Sequence, residues 1–238
     1  MSIPPTGSAL IALALTVAAQ PALARKRPER VDATGMGVNY SSSMGSAYTG
    51  PKAMGRLVEV ARCVVGRARG ASEKLLEATP ESNQEASIRW GPIKARLDQC
   101  SKMYMAATGV VLRGALAQVL YEERFGPKPP TVAAAVAPPP FEWPAKGQTS
   151  AQLATIYDFA GCVVAADPVG ARNLVLAIPG SDDESAALRT LRPRFAPCLV
   201  RDVTFNTNRE TLRAVLAESL YRWSLAQLRV SPQSGGAA

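Results

Sequence analysis

The chain has 238 residues, 47% of them hydrophobic, and 27 Lys and Arg against 19 Asp and Glu leave it at +8. That composition supports a folded core and one or two domains. There is no histidine, which removes Ser-His-Asp and Cys-His catalysis and His-ligated metals.

Residues 1–24 read as an export signal. The apolar run 9–19 is shorter than the roughly 18 residues a membrane-spanning helix needs, and Ala22-Leu23-Ala24 is a small-x-small cleavage site. Two features oppose this reading: no basic residue precedes the run, and Arg25-Lys26-Arg27 follows the cut, where positive charge hinders translocation. Residues 25–54 are Gly- and Ser-rich without periodicity, including Ser41-Ser42-Ser43, and are expected to be disordered with a solvated basic run.

A first helical unit is expected over 55–126. Leu57, Ala61, Val64, Val65 and Ala68 fall on one helical face, with Cys63 at its edge. Residues 71–78 form a short second helix stopped near Pro80. Ser82-x-x-Glu85 is a capping box opening a third helix through Ile88, Trp90 and Ile93, which Pro92 bends or splits. Leu112, Ala115, Leu116, Val119 and Leu120 make the apolar stripe of the last helix, and Trp90 is expected in the core. Residues 127–150 hold seven prolines and form an extended, semi-rigid linker, on which Phe141 and Trp143 are large enough to dock against a unit.

A second unit, 151–230, repeats the plan. Leu153, Ile156, Tyr157, Ala160, Val163 and Val164 form its first stripe, and 171–178 the short helix. Ser181-x-x-Glu184 is the matching capping box. Residues 203–205 suggest a brief extended piece, and Thr207-x-x-Glu210 a further box before the helix of Leu212, Val215, Leu216, Leu220 and Trp223. Residues 231–238 are a frayed tail. The repeat is visible residue by residue. Cys63-Val64-Val65 returns as Cys162-Val163-Val164, and Pro80, Ser82 and Glu85 as Pro179, Ser181 and Glu184, all 99 positions on. LRGALAQVLY at 112–121 returns as LRAVLAESLY at 212–221. The fold class expected is all-α: two homologous, disulfide-stapled helical units joined by a Pro-rich linker. The repeat leaves open whether they are two domains or halves of one.

The four cysteines come as one pair per unit. In an exported chain an even count indicates disulfides, and of three connectivities the repeat favours Cys63–Cys100 with Cys162–Cys198. No C-x-x-C pair supports zinc or redox chemistry, so no metal, cofactor or catalytic residue is assigned. Asp182-Asp183-Glu184 lies at a helix start, where carboxylates cap. Arg113 and Arg213 share one place in the repeated frame and Tyr121 and Tyr221 another. These four either line a shared groove, Arg for an anionic group and Tyr for a flat contact, or serve as snorkelling and core-rim residues.

The set Cys-Val-Val, Pro-x-Ser-x-x-Glu, Cys and LRxxLAxxLY resembles uncharacterised exported proteins of Gram-negative bacteria. The resemblance covers both units and implies envelope location and a helical unit, with no activity attached. The expectation is a non-catalytic periplasmic or secreted protein with a binding or structural role, partnered by an envelope protein or an anionic polymer and not by nucleic acid. Salt-sensitive attachment to anionic envelope polymers and a carboxylate-based envelope hydrolase are the alternatives.

Overall fold

The computed structural model describes residues 38–39, 50–101, 109–126, 138, 140–143, 148–199 and 205–230; the signal-like segment, the basic run and the tail 231–238 lie outside them. β1 (Val38–Asn39) stands within the stretch expected to be disordered. Pro51 opens α1 (Pro51–Glu77) at a position where a missing N–H is no loss. Because Ala53 and Met54 are buried, the helix starts ahead of the expected boundary at residue 55. Leu57, Ala61, Val64 and Val65 are fully buried along its face. The backbone leaves helical geometry at Ala68 (φ −149°, ψ 47°), so the expected second helix is the far arm of a kinked α1.

The Ser82 hydroxyl accepts the Glu85 N–H at 3.1 Å and starts α2 (Asn83–Ile88). The Glu85 carboxylate accepts the N–H of Glu81, the residue before the cap, instead of the cap residue itself as the capping box predicts. Pro92 cannot donate to the helical ladder; the turn widens into a π segment (Arg89–Ile93), non-helical at Gly91, before α3 (Lys94–Cys100). Trp90 in that segment is 63% exposed, correcting its expected place in the core: the widened turn takes it off the apolar face. In α4 (Gly109–Phe125) every residue from Val110 to Tyr121 is buried, so the helix is internal and not merely striped.

The second half follows as α5 (Gln148–Ala166) and α6 (Pro168–Leu176). α7 (Asp182–Leu191), a 3₁₀ turn (Arg192–Arg194) and α8 (Phe195–Cys198) lead to β2 (Phe205–Asn206) and α9 (Arg209–Val230). α5 begins inside the expected linker. Asp167 (φ −151°, ψ 77°), at the place of Ala68, separates α5 from α6, and its carboxylate accepts the Gly170 N–H at 2.7 Å. The cap of α9 is Asn208, which accepts the Thr211 N–H at 2.8 Å, and not Thr207. Glu210 instead accepts the Gly50 N–H at 3.1 Å, tying the start of α9 to that of α1. β1 and β2 pair in parallel, Val38 with Phe205 and Asn39 with Asn206. Apart from this two-residue pairing, the described fold is all helical.

Cys63 is bonded to Cys100 and Cys162 to Cys198, with Cα separations of 5.8 and 5.6 Å. Two disulfides suit a non-cytoplasmic, oxidising compartment. Among the described residues no single helix is long and apolar enough to cross a membrane. Within the compact unit 34–238, α4 packs most extensively on α9, α1 packs on α4, and α5 and α6 pack on α9. Phe141 and Trp143 dock edge-on and tilted against Tyr157, and Trp223 is buried.

α4 and α9 cross at Gly114 and Ala214, which occupy the same place in the repeated frame. A Cβ on Gly114 would lie 2.3 Å from the Ala214 Cα, a distance neither backbone can accommodate without moving. Gly66, in the interior of α1, has nothing within 4 Å of its would-be Cβ. Urea unfolding should therefore separate two chemically identical changes. Gly114→Ala should destabilise by about 1–3 kcal/mol through overpacking, and Gly66→Ala should stabilise by up to about 1 kcal/mol through helix propensity.

Candidate functional site

The last carbonyls of a helix have no intrahelical donor, and on the inner sides of the ends of α1 and α6, where Leu75, Leu76, Leu174 and Val175 are buried, water cannot serve them. An arginine reaches each end. Arg113 Nη1 and Nη2 donate to the carbonyls of Leu75 and Leu76 at 2.5 and 3.3 Å. Arg213 donates to those of Leu174, Val175 and Ala177, each at 2.7 Å. Both guanidiniums are essentially unexposed. A cation at a helix C-terminus also meets the negative end of the helix dipole.

Each buried cation needs a carboxylate, and the two obtain it differently. Arg113 crosses to α9 and makes a two-point contact with Glu218, its Nε donating to Oε2 at 3.0 Å. The Tyr157 hydroxyl donates to the same Oε2 at 2.7 Å. Arg213 crosses to α4, where Gln118 Oε1 accepts at 3.1 Å, and pairs within its own half with Glu184 at 3.0 Å. Gln118 and Glu218 hold one place in the frame; so do Glu85 and Glu184 at the caps. Burial lowers the Arg113 pKa, but Glu218 together with Tyr157 and Glu85 outweighs it and the net direction is up. For Arg213 burial prevails over Glu184 and the direction is down. Burial, reinforced by Glu218, pushes the Tyr157 phenol well above its ordinary value.

The capping carboxylates show the same exchange of partners. Glu184 also takes Arg209, at 2.8 Å. The place of Arg209 in the first half is Gly109, and a Cβ there would stand 2.7 Å from Arg89 Nη1. Arg89, on the π segment, lies 4.0 Å from Glu85. The second cation reaches its cap from α9 in one half and from the π segment in the other.

Of the four residues expected at a groove, Arg113, Arg213 and Tyr121 are internal and line none. That is a correction: the two arginines neither face a ligand nor snorkel, because helix ends and carboxylates inside the core hold them. Tyr221, also buried, does border an open groove of about 640 Å³. The far arm of α1 contributes Glu73, Leu76 and Glu77, and α4 contributes Arg124. The strap at 140–142 adds Phe141 and Glu142, and α9 adds Arg222, Leu225, Leu228 and Arg229. The strap is held by Thr79, whose hydroxyl donates to the Glu142 carbonyl at 3.3 Å, and by Arg222 stacked 3.6 Å over the Phe141 ring. Burial, together with Glu73, pushes the Tyr221 phenol up against the pull of Arg124.

Glu218 and Gln118 escaped the sequence reading, although a polar residue recurring at one place in two apolar frames was a usable signal, and Tyr157 was read only as part of an apolar stripe. Glu77 and Arg229 carried none, since an exposed charge on a helix is the ordinary case.

Compared with protein-family models, curated proteins and solved structures, the chain matches none of them. Among the described residues, fold and site define a disulfide-bonded, all-helical protein with an ion-paired interior and an open groove beside Tyr221.

Arg113→Met leaves Glu218 buried without its cation and should cost about 3–5 kcal/mol in chemical unfolding, whereas Arg113→Met with Glu218→Met should recover most of it. Tyr157 supplies a pH test. The unfolded chain releases this proton near pH 10 and the folded protein holds it to higher pH. Stability from this group is therefore full below about pH 10 and declines as the pH rises above it; Tyr157→Phe should flatten that decline.

Proposed function

We propose that this chain is a non-catalytic binding protein of the periplasm or of the secreted fraction of a Gram-negative cell, and that the groove beside Tyr221 is its contact site. It is built on a duplicated helical unit with residues 127–150 as a Pro-rich connection. One observation carries the reading. The interior is filled by apolar and ion-paired side chains, while the exposed Glu77, Arg124 and Arg229 gather at one open groove. The resemblance to exported proteins and the two disulfides support export. Equivalent backbone breaks at Ala68 and Asp167, and equivalent caps at Ser82 and Ser181, support duplication. Glu73 and Glu77 are side by side on one helix, an arrangement suited to a charged wall and unlike a hydrolytic pair flanking a scissile bond.

A second reading, salt-sensitive attachment to an anionic polymer, draws on Arg189, Arg192 and Arg194, all exposed at the end of α7 and in the turn after it. Co-sedimentation with isolated envelope fractions separates the two. Leu228 is 45% exposed on the groove, so Leu228→Asp should fold normally and reduce retention about fivefold or more at both low and high salt. Retention lost with salt and with Arg192→Glu plus Arg194→Glu, but unchanged in Leu228→Asp, would replace the groove reading by the polymer reading.

A further inference from the structure

The place equivalent to the Tyr221 end of the groove is filled by different side chains among the described residues. Across the 99- to 100-residue offset, Glu73, Arg124, Tyr221, Leu225 and Ala226 correspond to Arg172, Ser224, Tyr121, Phe125 and Gly126. There Phe125 is buried, and Arg172 donates to the Gly126 carbonyl at 2.8 Å. Burial pushes the Tyr121 phenol up against the pull of the same Arg172, so the guanidinium sits beside the ring. A larger ring and a longer side chain thus occupy what Leu225 and Glu73 leave open. α9 also runs on to Val230 where α4 ends at Phe125, so Leu228 and Arg229 stand on a turn that α4 lacks.

The open side carries both signs of charge over an apolar lining. Glu73, Glu77 and Glu142 are its carboxylates, and Arg124, Arg222 and Arg229 its cations. Leu76, Leu225 and Leu228 supply apolar surface, and Gln84 and Thr79 can meet amide groups. A polyanion entering here meets the carboxylates and a polycation meets the guanidiniums, and like-charge contact selects against each. A molecule with an ammonium at one end, a carboxylate at the other, and amides and an apolar side chain between has a partner for every group. The volume of about 640 Å³ is in the range of small-ligand sites.

We propose that the groove binds a short zwitterionic peptide, its ammonium against Glu77 and Glu142 and its carboxylate against Arg229 and Arg124. This rests on the reading of the groove as the contact site.

Saturation-transfer NMR of the disulfide-intact protein with a pool of tetrapeptides of Ala, Leu, Lys and Glu, termini free, is the test. The expected result is transfer to the peptides, abolished in Leu228→Asp, with affinity reduced about fivefold by Glu77→Gln and by Arg229→Gln at unchanged melting temperature. The same pool acetylated and amidated should lose binding likewise. No transfer, equal binding of the blocked pool, or equal binding by the charge variants would overturn the proposal. Adding the free pool to the envelope co-sedimentation distinguishes the two claims. If Leu228→Asp loses retention while peptides neither bind nor compete, the ligand class falls and the groove reading stands. If Leu228→Asp keeps full retention and the peptides do not bind, both fall.

Discussion

Two helices, α1 and α6, end with one side against the core, and the rest of the arrangement answers that constraint. A buried helix end exposes carbonyls that neither water nor the helix can satisfy, and leaving them bare costs more than any packing gain nearby could offset. Arg113 and Arg213 satisfy them, and in doing so bring a full positive charge into the core. A buried cation demands a carboxylate, and Glu218 and Glu184 answer. Because Arg113 stands on α4 and its carboxylate on α9, the pairing requires the two central helices to approach closely, which Gly114 against Ala214 permits. Helix ends, charge pairs and the central crossing are thus one linked system.

The constraint is met with different side chains around α4 and around α9. One arginine finds its carboxylate across the centre and the other finds it at a cap; a matched position is Glu218 in one half and Gln118 in the other. The capping carboxylate takes Arg209 from α9 in the second half and Arg89 from the π segment in the first, where Gly109 leaves room. On the outside the same freedom fills one equivalent place with Phe125 and Arg172 and leaves the other as the groove beside Tyr221. Charge compensation keeps the scaffold, and side-chain differences, with the longer α9, make the two sides unlike.

Much of the scaffold was legible in order along the chain. Apolar spacing located the helices, the serines at 82 and 181 marked two starts, Pro92 marked the break in its helix, and the repeat indicated which cysteines pair. Most misjudged features share a physical cause, dependence on a partner distant in sequence, while Trp90 was displaced by its own local backbone. β1 exists because Phe205 and Asn206 lie beside it. Glu210 looked like a capping residue but accepts a hydrogen bond from Gly50. Trp90 continued an apolar pattern, and the π segment turned it outward. Arg113 and Arg213 read as ligand-facing or snorkelling side chains because a helical frame shows where a residue points along its helix, not what stands opposite.

By itself the sequence determined the local vocabulary: helix faces, caps, breaks and the spacing of its repeated frame. These follow from dihedral preference, hydrogen-bonding reach and 3.6-residue periodicity, all short-range quantities. Only the tertiary structure decided that both arginines are interior, that Glu218 and Tyr157 belong with Arg113, and that an opening lies beside Tyr221. Those outcomes depend on which carbonyls are shielded from water and which side chains fill a shared volume, and both are set only when helices far apart in sequence pack together.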